Sequence, residues 1–402
     1  MGPLDGIRVL DLGTRIAAPF CAGLLGEMGA DVIKVEQPGT GDFMREIGPF
    51  VDAEDGPYSL FWSVEGRGRR SVSLDLRREA GQEMFVRLAA SCDVVCENFR
   101  PGTLERWNLA PSRLGDHLVA VRISAFGQDG PYARRPGLDR LGIGYGGLLH
   151  LTGDPDRPPV RPGVTTSDYL AGTFAAQAAT AALYRRDAGR DPSRRGCGAV
   201  VDATLYGSIL RILEWTIAGY DRLGVVRGRE GNRLANSAPL DNYPTADGRY
   251  VCLVAGSDPN FRRLCEAMER PDLLEDPRFA TLAERAAHAD EINAVVAAWT
   301  SSLPAAEVEA RAVAADVPVA TAYTAADIAQ DPHMAERGDL VTVEDPVIGG
   351  VRQQAPAVRF VGEECSTPSG APRLGEHTRE VLTELAGASA AELDALAAAR
   401  VI

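Results

Sequence analysis

Residues 7–38, "IRVLDLGTRIAAPFCAGLLGEMGADVIKVEQP", decide the fold class. "IRVLDLG" is a short apolar run that ends on glycine, as a buried strand does. "APFCAGLLGEMG" carries its apolar residues at helical spacing, and "ADVIKVEQP" is a second buried run stopped by Pro38. Strand, helix and strand in this length make a βαβ unit with room for a parallel crossover. "RSVSLDL" and "CDVVCENF" add two strand-like runs, with "REAGQEMFVRLAAS" as a helix between them, and "LVAVRISAFG" (118–127) is a further strand. Such alternation specifies an α/β region around a mainly parallel sheet.

Further along, "DYLAGTFAAQAATAALYRR" (168–186) reads as a long helix closed by basic residues, and "AVVDATLYGSILRILEWTIAGYDRLG" as a second long helical stretch. Residues 225–245 are polar and rich in Gly and Asn, which suits a linker. "GRYVCLVAG" is a strand, and 259–314 is mainly helical with a break at "EDPRF". Short strands return in "DLVTVEDPVIGGVRQQ" and "AVRFVG". Two helices follow, and Ser389 and Glu392 fit a capping box at the start of the last. These shifts divide the chain into 1–224, a smaller region 225–330, and 331–402. No internal repeat or low-complexity tract occurs.

The chain has 402 residues, 45% hydrophobic and 24% charged, the profile of an ordinary globular protein of two domains. Its net charge of −14 repels phosphate backbones and anionic lipid. Nucleic acid and membranes are therefore excluded as partners, and an anionic small molecule would need a local basic pocket. Seven cysteines (Cys21, Cys92, Cys96, Cys197, Cys252, Cys265, Cys365) are scattered without metal-ligand spacing, which points to a reducing compartment. No secretory leader pattern and no long apolar span is visible, so a cytoplasmic location is expected. The five histidines give no metal spacing; His333 and His377, near turns, read as structural.

"GIGYGG" (142–147) satisfies G-x-G-x-x-G, but the context is wrong for a dinucleotide site. That motif follows a strand and opens a helix, whereas "ARRPGLDRL" precedes it here and the first βα turn reads "LGTRIAAP". A glycine strip can still let backbone approach a ligand closely. In "RPGVTTSDYLAG" (161–172), Asp168 stands between hydroxyl residues and a long helix. On residues alone it is a helix-starting acid, favoured and kept ionised by the orphan N–H groups and the dipole.

Specific strings say more. "VLDLGTRIAAPFCAGLLGEMGADVIKVEQPGTGD", "SLDLRREAG", "ENFRPGTLERWN", "ISAFGQDGPYARRPG", "VVDATLYGSIL", "EDPRFAT", "AQDPHMAERG" and "PRLGEHTREVL" occur in order along nearly the whole chain. Together they resemble the class III coenzyme A-transferases, the family of formyl-CoA transferase and carnitine CoA-transferase. The resemblance implies an interlaced homodimer with a Rossmann-like large domain, built from both ends of the chain, and a smaller inserted α/β domain. It implies CoA thioesters as substrate and product, a carboxylic acid acceptor, and no permanently bound cofactor. The mechanism it implies is ping-pong, through an aspartyl–acyl anhydride and an aspartyl-CoA thioester.

The family's nucleophile falls on Asp168, and Asp139 falls where similar enzymes hold a supporting acid. The CoA contacts carry over to Ile16, Ala17, Leu74, Arg77, Asn98, Phe99 and Arg106. Guanidinium groups suit CoA phosphates and apolar walls suit its adenine. Several positions depart from the family pattern. Formyl-CoA transferase has Val-Gln-Ala where this chain has Arg15-Ile16-Ala17. Ile16 cannot donate a hydrogen bond, which argues against a formyl/oxalate pair, and Arg15 could meet the second carboxylate of a diacid. Gln37 replaces a common basic residue, and only Gly256 survives of a glycine-rich loop, at "VAGSDPN". The related α-methylacyl-CoA racemases carry a His before the Asp of "GHD"; Leu138 stands there and cannot exchange protons. Acyl-CoA racemisation and non-catalytic CoA binding are the alternatives to transfer.

Overall fold

The computed structural model describes residues 2–362 and 367–402; Cys365 lies outside them. The chain divides into two compact units. One contains the residues up to Leu148, Pro162–Ile217 and His333–Ile402; the other contains Leu149–Arg161 and Ala218–Pro332.

The first unit holds a six-stranded sheet of β1 (Arg8–Asp11), β2 (Asp31–Glu36), β3 (Arg69–Ser73), β4 (Val94–Glu97), β5 (Val119–Ser124) and β6 (Ala199–Thr204). The order is β3-β2-β1-β4-β5-β6, with every neighbouring pair parallel. Helix α1 (Ala17–Glu27) joins β1 to β2, and α2 (Glu79–Ala89) joins β3 to β4. Val9 pairs with Val32 and Val94, and Leu10 with Ile33 and Val95. The period of two sends these rows to opposite faces. Leu10, Ile33 and Val95 pack with Phe85 and Leu88 of α2 and with Val381 and Leu382. Val9, Val32 and Val94 pack with Ala18 and Cys21 of α1 and with Ala171, Ala175 and Ala179. A sheet covered on both faces explains why its strands read as unbroken apolar runs.

The last three of those alanines belong to α4 (Thr166–Ala188), which follows α3 (Asp139–Tyr145) and precedes α5 (Leu205–Arg211). Gly172 lets α4 lie directly on α1, since a Cβ there would sit 2.8 Å from the Ala17 carbonyl oxygen. The expected second long helix begins later than its sequence suggests. Residues 199–204 are β6, because the β-branched Val200, Val201 and Thr204 complete the open edge of β5 before α5 starts.

The hairpin of Leu340–Asp345 and Gly349–Gln354 matches the expected returning strands. "AVRFVG" forms no strand; Pro356, without an N–H, ends the pairing just before it. Ser389 caps the last helix by accepting from the Glu392 N–H at 3.2 Å.

The second unit contains a three-stranded antiparallel sheet of β7 (Leu240–Pro244), β8 (Tyr250–Val254) and β9 (Val319–Thr321), in the order β9-β8-β7. The sheet packs on helices through Tyr243, Val251, Leu253, Phe261, Leu264 and Ile292. The end of the expected linker at 225–245 is therefore strand: Tyr243 pairs with Val251 and is buried. No described helix is long and apolar enough to cross a membrane.

Candidate active site

Strand order reverses between β1 and β4, and ligands of doubly wound sheets bind in the crevice outside the carboxyl ends at such a switch. The segments emerging there are Gly13-Thr14-Arg15 and Asn98-Phe99. They are tied together: the Asn98 carboxamide accepts from the Thr14 N–H at 2.8 Å and donates to the Thr14 carbonyl at 2.7 Å. Asp42 Oδ1 accepts from the Arg15 N–H at 3.1 Å and from the Met44 N–H at 3.0 Å.

Beneath both lies the fully buried Lys34, whose Nζ bonds the Gly13 carbonyl and sits 2.8 Å from Asp42 and 3.3 Å from Asp11. Burial disfavours its ammonium, but Asp11 and Asp42 outweigh that and hold its pKa above the ordinary lysine value. Burial would likewise raise the Asp42 carboxyl; Lys34 and the amide donors keep it below the usual range. Arg15, fixed between these anchors, adopts a left-handed φ of 67° and lays its guanidinium 3.9 Å from the centre of the Phe43 ring.

Two cavities open around this knot. A cavity of about 100 Å³ brings together the predicted Leu74, Arg77 and Phe99 with Gln37 and Trp107. Phe99 meets Trp107 edge-on at 5.1 Å. A second cavity, of about 400 Å³, shares Asn98's neighbour Phe99 and is lined by Arg15, Arg100, Arg135 and Leu138, with no carboxylate in its lining among the described residues.

The other predicted CoA contacts fall differently. Asn98 lines the second cavity, and its carboxamide is engaged by the Thr14 backbone. Ile16 is buried with Met44 and Trp62, Ala17 packs under Gly172, and the side chains of both line neither cavity. Arg106 is exposed and donates to Thr103 Oγ1 at 2.9 Å, outside both. A roomier cavity of about 530 Å³ beside Phe20, Glu65 and Tyr169 includes neither Arg15 nor Asp168.

Asp168 is the third residue of α4 and is half-buried. Thr165 makes no side-chain cap. The cap comes from Asp139 at the start of α3, whose buried Oδ1 accepts from the Ser167 N–H at 2.8 Å and the Ser167 hydroxyl at 2.9 Å. Neighbouring glycines permit this approach: a Cβ on Gly142 would lie 2.7 Å from Ser167 Oγ, and one on Gly146 2.6 Å from Ile209. The "GIGYGG" strip thus brings backbone close to α4 and α5.

Asp168 differs electrostatically from an ordinary helix-starting acid. Burial first, and then the charge of Asp139, push the Asp168 carboxyl up to about 7, with Arg15 acting in the opposite direction. Acid and carboxylate therefore coexist near neutrality. If the carboxylate is the reactive form, kcat/KM should rise with pH along a limb near 7. Asp139→Asn keeps an oxygen for the Ser167 N–H but removes the like charge, so the limb should move down by about one unit. A pH–rate profile of that variant checks this, and an unmoved limb would refute the coupling.

Some residues of the site carry no local sequence pattern that marks them as functional. Arg100 directly follows "ENF" and Arg135 lies in "YARRPG", and both line the second cavity. Among the described residues no cluster of His, Cys, Asp and Glu could hold a metal ion. His377 accepts from the Ser71 N–H at 3.2 Å, as a structural histidine does.

A sequence model described as CoA-transferase family III matches residues 4–378. The succinyl-CoA–D-citramalate CoA-transferase of Chloroflexus aurantiacus is 42% identical over 100% of this chain and 98% of its own. The β subunit of the succinyl-CoA–L-malate CoA-transferase of the same organism is 39% identical over 100% and 98%. Among solved structures, a CAIB/BAIF family protein from Brucella suis superposes with a TM-score of 0.85 at 33% identity, covering 96% of this chain and 99% of that one.

Proposed function

The chain belongs to CoA-transferase family III, and on that premise we propose that it moves CoA from succinyl-CoA to a small dicarboxylic acid, with Asp168 as the covalent nucleophile. The observation that carries this reading is the placement of Asp168. A half-buried carboxyl, raised to about 7, lies within electrostatic reach of Arg15, which lines an arginine-rich cavity with no carboxylate among the described residues of its lining. A partly desolvated carboxylate, held by a capped helix, is a competent nucleophile toward a thioester.

The Asp168 carboxylate attacks the thioester carbonyl, forming a mixed anhydride and releasing CoA thiolate. The thiolate attacks the aspartyl carbonyl of that anhydride, giving aspartyl-CoA thioester and the free donor acid. The acceptor carboxylate then attacks this thioester, and the released thiolate takes the acceptor acyl group from the second anhydride. Asp168 returns unchanged and no net proton is consumed. Asp139 positions Asp168 by capping α4, and the apolar and aromatic walls of Leu74, Phe99 and Trp107 suit the adenine, with guanidinium groups for the phosphates.

Succinyl-CoA and a dicarboxylate are proposed because the relatives named for citramalate and malate use acids of that class. Leu138, which lines the larger cavity, cannot carry a proton, which disfavours the racemase alternative. We place the enzyme in the cytoplasm as an interlaced homodimer whose second unit is the smaller inserted domain. Val200, Leu210, Trp215 and Ile217 support a covering partner copy, since all four are large apolar side chains left exposed. CoA thioesters are substrate and product, with no permanently bound cofactor.

The test is chemical trapping. After succinyl-CoA is added, hydroxylamine should inactivate the enzyme and mark the peptide carrying Asp168, as read by mass spectrometry; without acyl-CoA it should do neither. Unmarked Asp168 during full turnover would overturn the reading.

A further inference from the structure

We propose that Arg15 is the specificity determinant for the second carboxylate of the substrate, binding the free end of a diacid while its other end reacts at Asp168. This rests on the functional reading above and adds the group that selects the acid class.

Four observations meet at this side chain. Arg15, Arg100 and Arg135 line one cavity of about 400 Å³ that has no carboxylate in its lining among the described residues, in a chain of net charge −14. None of the three takes part in an ion pair among the described residues, although most arginines of the first unit's sheet region do. Arg70 meets Asp31 and Glu384, for example, and Arg122 meets Glu97 and Glu105. An unpaired guanidinium in a carboxylate-free cavity is a site for an external anion. Arg15 shares this cavity with Leu138, whose neighbour Asp139 caps the helix turn that carries Asp168, and among the three arginines it is the one whose charge acts on Asp168. An acid bound at Asp168 by one end therefore brings its other end toward Arg15, leaving Arg100 and Arg135 for the phosphates of CoA.

The fourth observation is rigidity. The Arg15 backbone is held in a left-handed conformation by Asp42, its neighbour Thr14 is clasped by Asn98, and its guanidinium carbon sits over the Phe43 ring, 3.9 Å from the centroid. A guanidinium placed in this way and without an ion-pair partner among the described residues keeps N–H donors for a carboxylate, which can engage them with two parallel bonds. Leu138 and Leu141 line the same cavity and offer apolar walls for the short carbon chain between the two carboxyls.

The test compares L-malate with 3-hydroxybutyrate as acceptors, since these differ by a carboxylate in place of a methyl group. With succinyl-CoA as donor, the ratio of kcat/KM for malate to that for 3-hydroxybutyrate should fall about 100-fold in Arg15→Gln, the loss expected for a charge-assisted pair. Arg15→Lys should recover part of the ratio, because a point charge remains without the fork. A second arm traps the Asp168 anhydride from succinyl-CoA and from butyryl-CoA; Arg15→Gln should slow formation from the former selectively. An unchanged ratio, or equal loss with both acceptors and both donors, would overturn the proposal and leave Arg15 as a general electrostatic partner of Asp168. Wild-type enzyme that marks Asp168 but prefers 3-hydroxybutyrate would refute the Arg15 assignment alone. Wild-type enzyme that transfers to neither acid and leaves Asp168 unmarked would refute the functional reading as well.

Discussion

Asp168→Asn should lower CoA transfer by about 10⁴-fold or more, on the scale of removing a covalent nucleophile, while making the folded protein more stable at alkaline pH. An amide has the size of the acid and can occupy the same rotamer at the third position of α4, so the fold is preserved. It cannot form an anhydride or a thioester, so the covalent path is lost. The stability effect follows from where the carboxyl titrates. Burial and Asp139 hold it at about 7 in the folded state, against an ordinary value of 3.8 in the unfolded chain. A carboxyl raised in this way contributes stability that is complete below the unfolded value and is lost as pH rises through about 7. Asparagine does not titrate and escapes that loss. A rise of about three units corresponds to about 4 kcal/mol, and the partial exposure of the side chain halves it to roughly 2 kcal/mol at pH 8.5. Urea denaturation of both proteins at pH 4 and pH 8.5 measures the difference. A stability gap that does not widen toward high pH would show that Asp168 is not strained by ionisation. Stability gained where function is lost is the signature of a site held in an unfavourable state for chemistry.

The parts of the fold that depend on local pattern were legible: β1, α1, β2, the strands before and after α2, and the long α4 follow from runs and periods within a few residues. What failed was non-local. Residues 199–204 have the length of a strand but are continuous with the helix after them, and only the open edge of β5 shows that they pair. Tyr243 lies in a polar, linker-like stretch, and only its pairing with Val251 makes it strand. The site divides along the same line. Leu74, Arg77 and Phe99 were named through their resemblance to a family, and they share a cavity. The contact between Asp139 and Ser167 spans 28 residues, so no local pattern could have shown that one acid caps the helix bearing the other. Lys34 could have been found without the structure. A lysine inside the apolar run "ADVIKVEQP" lies on a strand buried on both faces, where an unpaired charge is rarely tolerated.

Lys34→Met should destabilise the protein by about 3–5 kcal/mol, the cost of stranding buried charges when one partner is removed, and should also lower CoA transfer. Methionine fits the volume of the stem, so the loss is electrostatic rather than a cavity effect. Without the ammonium, Asp42 keeps only amide donors, and Asp11 keeps the Gly13 N–H at 2.9 Å and Arg69 at 3.7 Å. The Gly13 carbonyl loses its partner as well. Because Lys34 holds Gly13 and Asp42 holds the Arg15 N–H, the loop that presents Arg15 loosens together with the core. Asp42 is held below its ordinary pKa chiefly against burial by Lys34, so it contributes stability above the unfolded value that is lost as pH falls. In Lys34→Met that contribution disappears, and the variant should lose less of its remaining stability on acidification than the wild type does. Asp42→Asn keeps an oxygen for the Arg15 and Met44 amides while removing the charge, which makes a double-mutant cycle informative. Asn at 42 combined with Met at 34 should cost at least 1 kcal/mol less than the sum of the single changes, because the second substitution removes a charge that the first left stranded. Additive costs in urea unfolding would show that the Lys34–Asp42 pair is not the element that holds the Arg15 loop in place.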